Sequence, residues 1–451
     1  MVQWAGLRKP SGRVVMRWVM PVKCARVRRV SIAATCRMAF PMTDIPGAPA
    51  RKAALKLIDA VLRRGETLDQ AGASALSGLR LPADKALARA IAGETLRWLV
   101  DLDALIDGAT REQLPDDAKA RTVLRLMLAQ WLRLRTPPHV VIATGLPLLT
   151  GGPRRLAHGV FGTLARQGAA LPAAPTLPDL VKERWGERAE AIATGLAQPP
   201  PLDLTLRDES QTDEWTAQLG GFSLAPGHVR LPRGGAVENL PGFGEGAWWV
   251  QDFAASLPVR LMGEGAGRRV LDLAAAPGGK TLQLASRGWR VTALDASERR
   301  LERLRGNLAR VGLAAEIVCA DALEWEPGEP FDAILLDAPC TATGTCRRQP
   351  DVLHRIGAAQ IGTMTALQAR LLARARDWLK PGGTLVYAVC SLEREEGEDQ
   401  AARLGLEPWP VRPEDLPAGL QPTRQGWVRT DPGMLPEHGG LDGFFIARWR
   451  G

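Results

Sequence analysis

At 451 residues the chain is too long for one ordinary domain, and two or three are expected. Its 45% hydrophobic content allows a sizeable core, while no uninterrupted apolar run reaches transmembrane length, so no membrane partner is expected. The formal charge of +9 suggests a nucleic-acid partner, but residues 1–43 hold nine Lys or Arg and no acid, and removing those nine from 58 leaves 49 basic against 49 acidic side chains. The body is therefore neutral, and RNA binding by it would need local basic patches. Six cysteines in this length make no disulfide framework, and five scattered histidines argue against a metal site. A reducing, cytoplasmic compartment is expected.

Taken in chain order, residues 1–43 form a basic extension without helical or strand period. Its composition is that of an organellar transit peptide; alternatively Met42-Thr43-Asp44 is the natural start and the extension is not native. Residues 44–170 read as helices. Leu55, Ile58 and Leu62 recur at helical spacing, Leu87, Ile91, Trp98, Leu102 and Leu105 make a second stripe, and Val123, Leu124, Met127, Leu128, Trp131 and Leu132 a third. Such Leu- and Trp-rich stripes are core, and no catalytic constellation interrupts them. Residues 171–260 read as a Pro-rich connector, with Pro199-Pro200-Pro201 marking a boundary, followed by a small α+β subdomain opening on the alternating run Leu202–Leu206.

From 261 to 451 the pattern is strand, turn, helix, repeated. Strands are expected at Arg269–Leu273, Arg290–Asp295, Ile317–Cys319, Ala333–Leu336 and Leu385–Val389. This alternation means a Rossmann-like α/β domain, a mostly parallel sheet with helices on both faces. Ligands of such sheets bind beyond the carboxyl ends of the strands. Asp295, Asp321, Asp337 and Cys390 all stand at or just past such ends.

The first strand leads into Asp272-Leu273-Ala274-Ala275-Ala276-Pro277-Gly278-Gly279-Lys280-Thr281. Glycines at a strand-to-helix turn let backbone approach a ligand. A phosphate-binding Gly-x4-Gly-Lys-Thr loop would need glycine at Ala274, so that reading fails. Asp295, 16 residues after Gly279, is placed to accept ribose hydroxyls, and Asp321 to lie near an adenine edge. Each acid alone is usually a cap or turn former; in this order behind a glycine turn they favour an adenosyl cofactor.

Asp337-Ala338-Pro339-Cys340 follows, then Lys380-Pro381-Gly382-Gly383, a strand, and Cys390-Ser391. Together these closely resemble the Nop2/Sun family of RNA cytosine-5 methyltransferases. Arg347-Arg348-Gln349-Pro350-Asp351 and Asp442-Gly443-Phe444-Phe445 resemble further signatures of that family, and residues 51–168 resemble the NusB-like helical domain of its bacterial 16S ribosomal RNA branch.

The resemblance implies S-adenosylmethionine as cofactor, held by Ala274, Ala275, Ala276, Pro277, Gly278, Gly279, Lys280, Asp295, Asp321 and Asp337. It implies Cys390 as nucleophile and Cys340 as release group, with Asp337 on the cytosine. The partner implied is 16S ribosomal RNA, naked or in an early particle, bound by a monomer. A thiolate adding to C6 would make C5 nucleophilic, and a base must later remove the C5 proton. A lone strand-end cysteine is usually a small buried apolar residue; the flanking motifs set Cys390 and Cys340 apart from Cys319 and Cys346, read as incidental. Arg347 and Arg348 read as phosphate contacts or as a solvated pair. Ala274 and Val389 depart from the family's usual Cys and Thr. Two alternatives stand beside this reading: a transfer-RNA substrate, and a non-catalytic RNA-binding assembly or antitermination factor.

Overall fold

The computed structural model describes residues 46–232 and 234–451, and the basic extension 1–43 with its expected start at Met42 lies outside them. Among the described residues, seven helices share the first core: α1 (Ala48–Arg64), α2 (Leu68–Ala75), α3 (Pro82–Arg97), α4 (Leu99–Gly108), α5 (Lys119–Leu132), α6 (Pro138–Gly145) and α7 (Gly151–Gln167). α5 is central and buried without a break from Ala120 to Gln130. Its all-round burial reaches even Arg121 and Arg125, whose guanidinium groups bond Asp103 at 3.1 and 2.6 Å. A buried cation needs such a partner. The stripe from Leu87 to Leu105 is one run in sequence but two helices in space, broken at Trp98, whose backbone leaves helical geometry while its ring stays buried under Arg133.

The connector is more ordered than its prolines suggest. Residues 179–196 form α8 (Asp179–Trp185) and α9 (Ala189–Leu196), and their Val181, Trp185, Ile192 and Leu196 share a core with Cys346, Val352, Leu353 and Ile361. Composition reveals turn residues but not the surface on which a short helix buries its apolar face.

A small antiparallel sheet follows, in the order β2-β1-β3, from β1 (Leu202–Leu206), β2 (His228–Leu231) and β3 (Trp248–Val250), with α10 (Thr212–Leu219) between the first two. Its opening strand has the bounds expected from alternation. Asp203 and Arg230, both fully enclosed, pair across β1 and β2 at 2.6 Å, and Arg230 also donates to the carbonyls of His438 and Gly440.

The remainder is α11 (Phe253–Arg260), β4 (Arg269–Leu273), α12 (Gly279–Ser286), β5 (Arg290–Asp295), α13 (Glu298–Val311), β6 (Glu316–Cys319), β7 (Phe331–Asp337), α14 (Val352–Arg355), α15 (Ala358–Asp377), β8 (Leu379–Val389), α16 (Glu398–Ala401), β9 (Glu407–Pro408), β10 (Val428–Thr430) and β11 (Phe444–Arg450). The sheet order is β6-β5-β4-β7-β8-β11-β10, with β9 paired to β11. The five strands read from sequence are all present and pair parallel, while β11 runs antiparallel to β8, placing Phe445 opposite Val389. Alternate residues serve opposite faces: Val270, Leu335 and Val386 pack into one core, Leu271, Leu336 and Tyr387 into the other. Burying each such aliphatic side chain contributes about 1.5–3 kcal/mol. β4 has β5 on one side and β7 on the other, so chain order reverses there and leaves a crevice at the carboxyl ends.

The helical part docks on the loop that follows Cys340. Arg97 at the end of α3 donates to the Arg347 carbonyl at 2.7 Å, and His354 Nε2 lies 2.6 Å from the Leu96 carbonyl. A carbonyl only accepts, so that histidine nitrogen carries the hydrogen. No helix among the described residues is long and apolar enough to cross a membrane.

Candidate active site

The crevice above β4, β7 and β8 gathers the chemistry-bearing residues. β4 ends at Leu273, and Ala274 turns the chain with φ 65°. Ala275 N donates to the Leu294 carbonyl and Ala276 N to Asp295 Oδ2, so the loop is pinned to the end of β5. Gly278 has φ 107°, and a Cβ there would fall 2.9 Å from Leu304 Cγ, so only glycine lets α13 approach the loop this closely. α12 begins at the next residue and carries Lys280 into the crevice.

Lys280 Nζ donates to Asp337 Oδ2 at 2.6 Å and lies 5.3 Å from the centre of the Phe444 ring. Burial alone would lower the ammonium's pKa, but Asp337 outweighs it and the net shift is upward, so Lys280 stays charged. Asp337 ends β7, and three residues on is Cys340. Asp337 stands opposite Ala388 in the parallel pairing, and two residues beyond Ala388 is Cys390. The two sulfurs, 50 residues apart in sequence, lie 3.5 Å from each other. A hydrogen bond to Cys390, together with burial, holds the Cys340 thiol well above the usual thiol range. The loop between them is fixed by Gly344 N donating to the Cys390 carbonyl at 3.0 Å. A Cβ on Gly344 would fall 1.9 Å from the Gly443 carbonyl oxygen.

The matching family models divide the chain as its cores do. NusB family matches residues 48–148, and 16S rRNA methyltransferase RsmB/F matches residues 261–450. A ribosomal RNA small subunit methyltransferase B of Klebsiella pneumoniae is 36% identical over 435 residues, which cover 88% of this chain and 97% of that protein. The chain belongs to the RsmB/F methyltransferase family. A protein of the same description from Xanthomonas campestris is 35% identical over 383 residues, 79% of this chain and 88% of that one. The solved structure of a methyltransferase homolog protein from Pyrococcus horikoshii is 30% identical with a TM-score of 0.51, covering 64% of this chain and 97% of that chain.

RsmB/F membership makes the methyl donor S-adenosylmethionine, and the crevice fits it. Asp272, wholly enclosed beneath the loop, accepts from Thr281 through Oδ2 at 2.6 Å, while its Oδ1 is buried without a partner. Burial pushes its carboxyl up to about 7. An orphaned buried carboxylate oxygen suits the α-ammonium of the donor. Asp295 is buried at the end of β5, and Arg300 lies 3.4 Å from its carboxylate. Asp321 is exposed just past β6, where its carboxylate accepts from Leu323 N at 2.9 Å. Cys319 is exposed and Cys346 enclosed, both apart from the 3.5 Å sulfur pair.

One expectation changes in this RsmB/F chain. Arg347 is fully enclosed, not solvated or free for phosphate: with the partly exposed Arg348 it closes a quartet against Asp252 and Asp442. Two cations and two anions cancel, which is what makes their burial tolerable. Local pattern gives no role to Asp272, whose orphaned oxygen shows only in three dimensions, or to two acids after Cys390. Glu393 accepts from Arg184 and from Trp185 Nε1, tying α8 to the loop after Cys390, and Glu396 is fully buried between the cysteine loops. Glutamates within two turns of Cys390-Ser391 were the available signal, but acids in a run read as a solvated face.

Proposed function

We propose that this enzyme methylates C5 of a cytosine in 16S ribosomal RNA. The 3.5 Å approach of Cys340 and Cys390 beside the Lys280–Asp337 pair carries the reading. S-adenosylmethionine would supply an electrophilic sulfonium methyl, held by Ala274, Ala275, Ala276, Pro277, Gly278, Gly279 and Lys280, with Asp295, Asp321 and Asp337 around it. The Cys390 thiolate adds to C6, forming the C–S bond and making C5 enamine-like and nucleophilic. Asp337 accepts from the exocyclic amine, and the Lys280 ammonium answers the negative charge that addition places on the ring. After C5 is methylated, the C5 proton passes to the Cys340 sulfur as that thiol gives its own proton to the departing Cys390 sulfur 3.5 Å away; the C5–H electron pair restores the C5–C6 double bond and the C6–S bond breaks. The elevated pKa of Cys340 supports this division, because a thiol that keeps its proton is not the attacking thiolate.

The domain reading is part of the proposal: residues 44–170 bind RNA, 171–260 connect, and 261–451 carry the chemistry, in a cytoplasmic monomer. Since the target base must leave its stack to reach the crevice, single-stranded or splayed RNA is the expected substrate form. Bisulfite sequencing of total RNA from cells with and without the gene tests it. Loss of one methylated cytosine in 16S ribosomal RNA is expected. Loss at a transfer-RNA position instead would keep the chemistry and overturn the target, and no loss anywhere would favour the assembly-factor alternative.

Asp272 gives a pH dependence. Its pKa rises from 3.8 to about 7 on folding, so the fold without ligand is favoured by the protonated form, and that contribution is lost as pH climbs from about 4 through 7. An ammonium ligand needs the ionised form. Donor affinity should therefore strengthen roughly five- to tenfold between pH 6 and 7.5, measured by calorimetry, and Asp272→Asn should flatten the dependence. An unchanged profile in that variant would remove Asp272 from the donor's contacts.

A further inference from the structure

The two sulfurs meet although their loops leave different strands, and no backbone ladder extends past Ala388 to hold them there. Besides the Gly344 N bond to the Cys390 carbonyl and the Thr343 hydroxyl, which accepts from Leu392 N at 3.0 Å, one buried carboxylate spans the gap. Glu396 is fully buried, and its carboxylate accepts from Thr341 N at 2.9 Å, from Gln368 Nε2 of α15 at 3.1 Å, and from the hydroxyls of Thr341 and Ser391. Thr341 follows Cys340 in the chain and Ser391 follows Cys390. The Glu396 backbone is itself held, since Tyr387 of β8 donates its hydroxyl to the Glu396 carbonyl at 2.6 Å.

The contrast with neighbouring acids is informative. Glu393 has the Arg184 guanidinium and Glu398 that of Arg429. Glu396 takes two hydroxyls, one amide and one peptide N–H instead of a cation. A buried carboxylate without a counter-charge is costly even when hydrogen-bonded. A neutral glutamine would serve packing alone at lower cost, so the charge and its four donors point to a role in the site.

We propose that Glu396 is a positioning residue for the release half of the reaction, a clamp that holds the Cys340 loop against the Cys390 loop. The inference rests on the two-cysteine reading above. Its negative charge also lies on the Cys340 side, where, after the hydrogen bond to Cys390 and burial, it adds to the forces keeping that thiol protonated.

The pattern of donors dictates the variants. In Glu396→Gln the amide oxygen can keep Thr341 N and Gln368, while the new NH2 donates to the two hydroxyls, which rotate to accept. The clamp survives and only the charge is lost. Glu396→Ala removes the clamp, and Ser391→Ala loosens it on the Cys390 side alone. The assay is methyl transfer to 16S ribosomal RNA transcript by the full chain, with covalent protein–RNA adduct scored on denaturing gels and Cys340→Ala as control. Glu396→Ala should lower kcat about 100-fold, leave KM for RNA and donor within about threefold, and accumulate adduct. Glu396→Gln should recover to within about tenfold of wild type. If the alanine variant does not fold, Ser391→Ala takes its place and should accumulate adduct at wild-type melting temperature. Adduct in Cys340→Ala but in neither clamp variant overturns the clamp alone. Adduct in none of them overturns the two-cysteine reading, and the clamp with it.

Discussion

Cys390→Ala should reduce methyl transfer by at least about 10⁴-fold, the scale of removing a covalent nucleophile. Donor binding measured by calorimetry should stay within about threefold of wild type, because the 274–280 loop and Asp295 are held from β4, β5 and α13 and not from the sulfur pair. Cys340→Ala should behave differently. Addition to C6 needs only Cys390, so the variant should trap a covalent protein–RNA complex that migrates slowly on a denaturing gel and releases little product. The opposite assignment, with Cys340 attacking, reverses both outcomes. Full activity in Cys390→Ala would sink the mechanism. The sulfurs are 3.5 Å apart, so both must be tested singly: either could reach the ring on distance alone, and only the adduct tells attack from release.

Arg347→Ala should destabilise the fold by about 3–5 kcal/mol, read as a lowered urea midpoint with an unchanged slope. The guanidinium is fully enclosed, pairs with Asp252 and Asp442 at 3.0 Å each, and donates to the Gly439 carbonyl at 2.7 Å. Alanine leaves two buried carboxylates sharing only Arg348. Arg348→Ala should cost less, since that side chain is 31% exposed and water can reach the gap it leaves. Asp252 also caps α11, accepting from Ala254 N, and Asp442 precedes the Phe444 beneath Lys280. The quartet therefore ties the small sheet, the post-Cys340 loop and the last strand together beneath the crevice. A loss under about 1 kcal/mol in Arg347→Ala would mean that the quartet contributes little net stability.

Much of the frame was legible because periodicity is local. Strands read as short apolar or alternating runs, and Arg269–Leu273, Arg290–Asp295 and Leu202–Leu206 have the same bounds in sequence and in space. A helix ending at Gly312 follows from the Leu301, Leu304 and Leu308 spacing and from glycine's ease in left-handed geometry, φ 71°. The two cysteines were legible as a motif, since each sits at a fixed offset from a strand end.

Sequence alone determined the alternation of strands and helices, the glycine loop, and the motif positions of Cys340 and Cys390, because these depend on neighbours a few residues away. The tertiary structure decided what depends on residues about 50 to 200 positions apart. It buried Arg347 against Asp252 and Asp442, turned the 179–196 segment from connector into packed helices, and set Glu396 between two loops. Whether a charged side chain is solvated, paired or left with four neutral donors is fixed by what the fold brings within about 3 Å of it, and no local pattern records that.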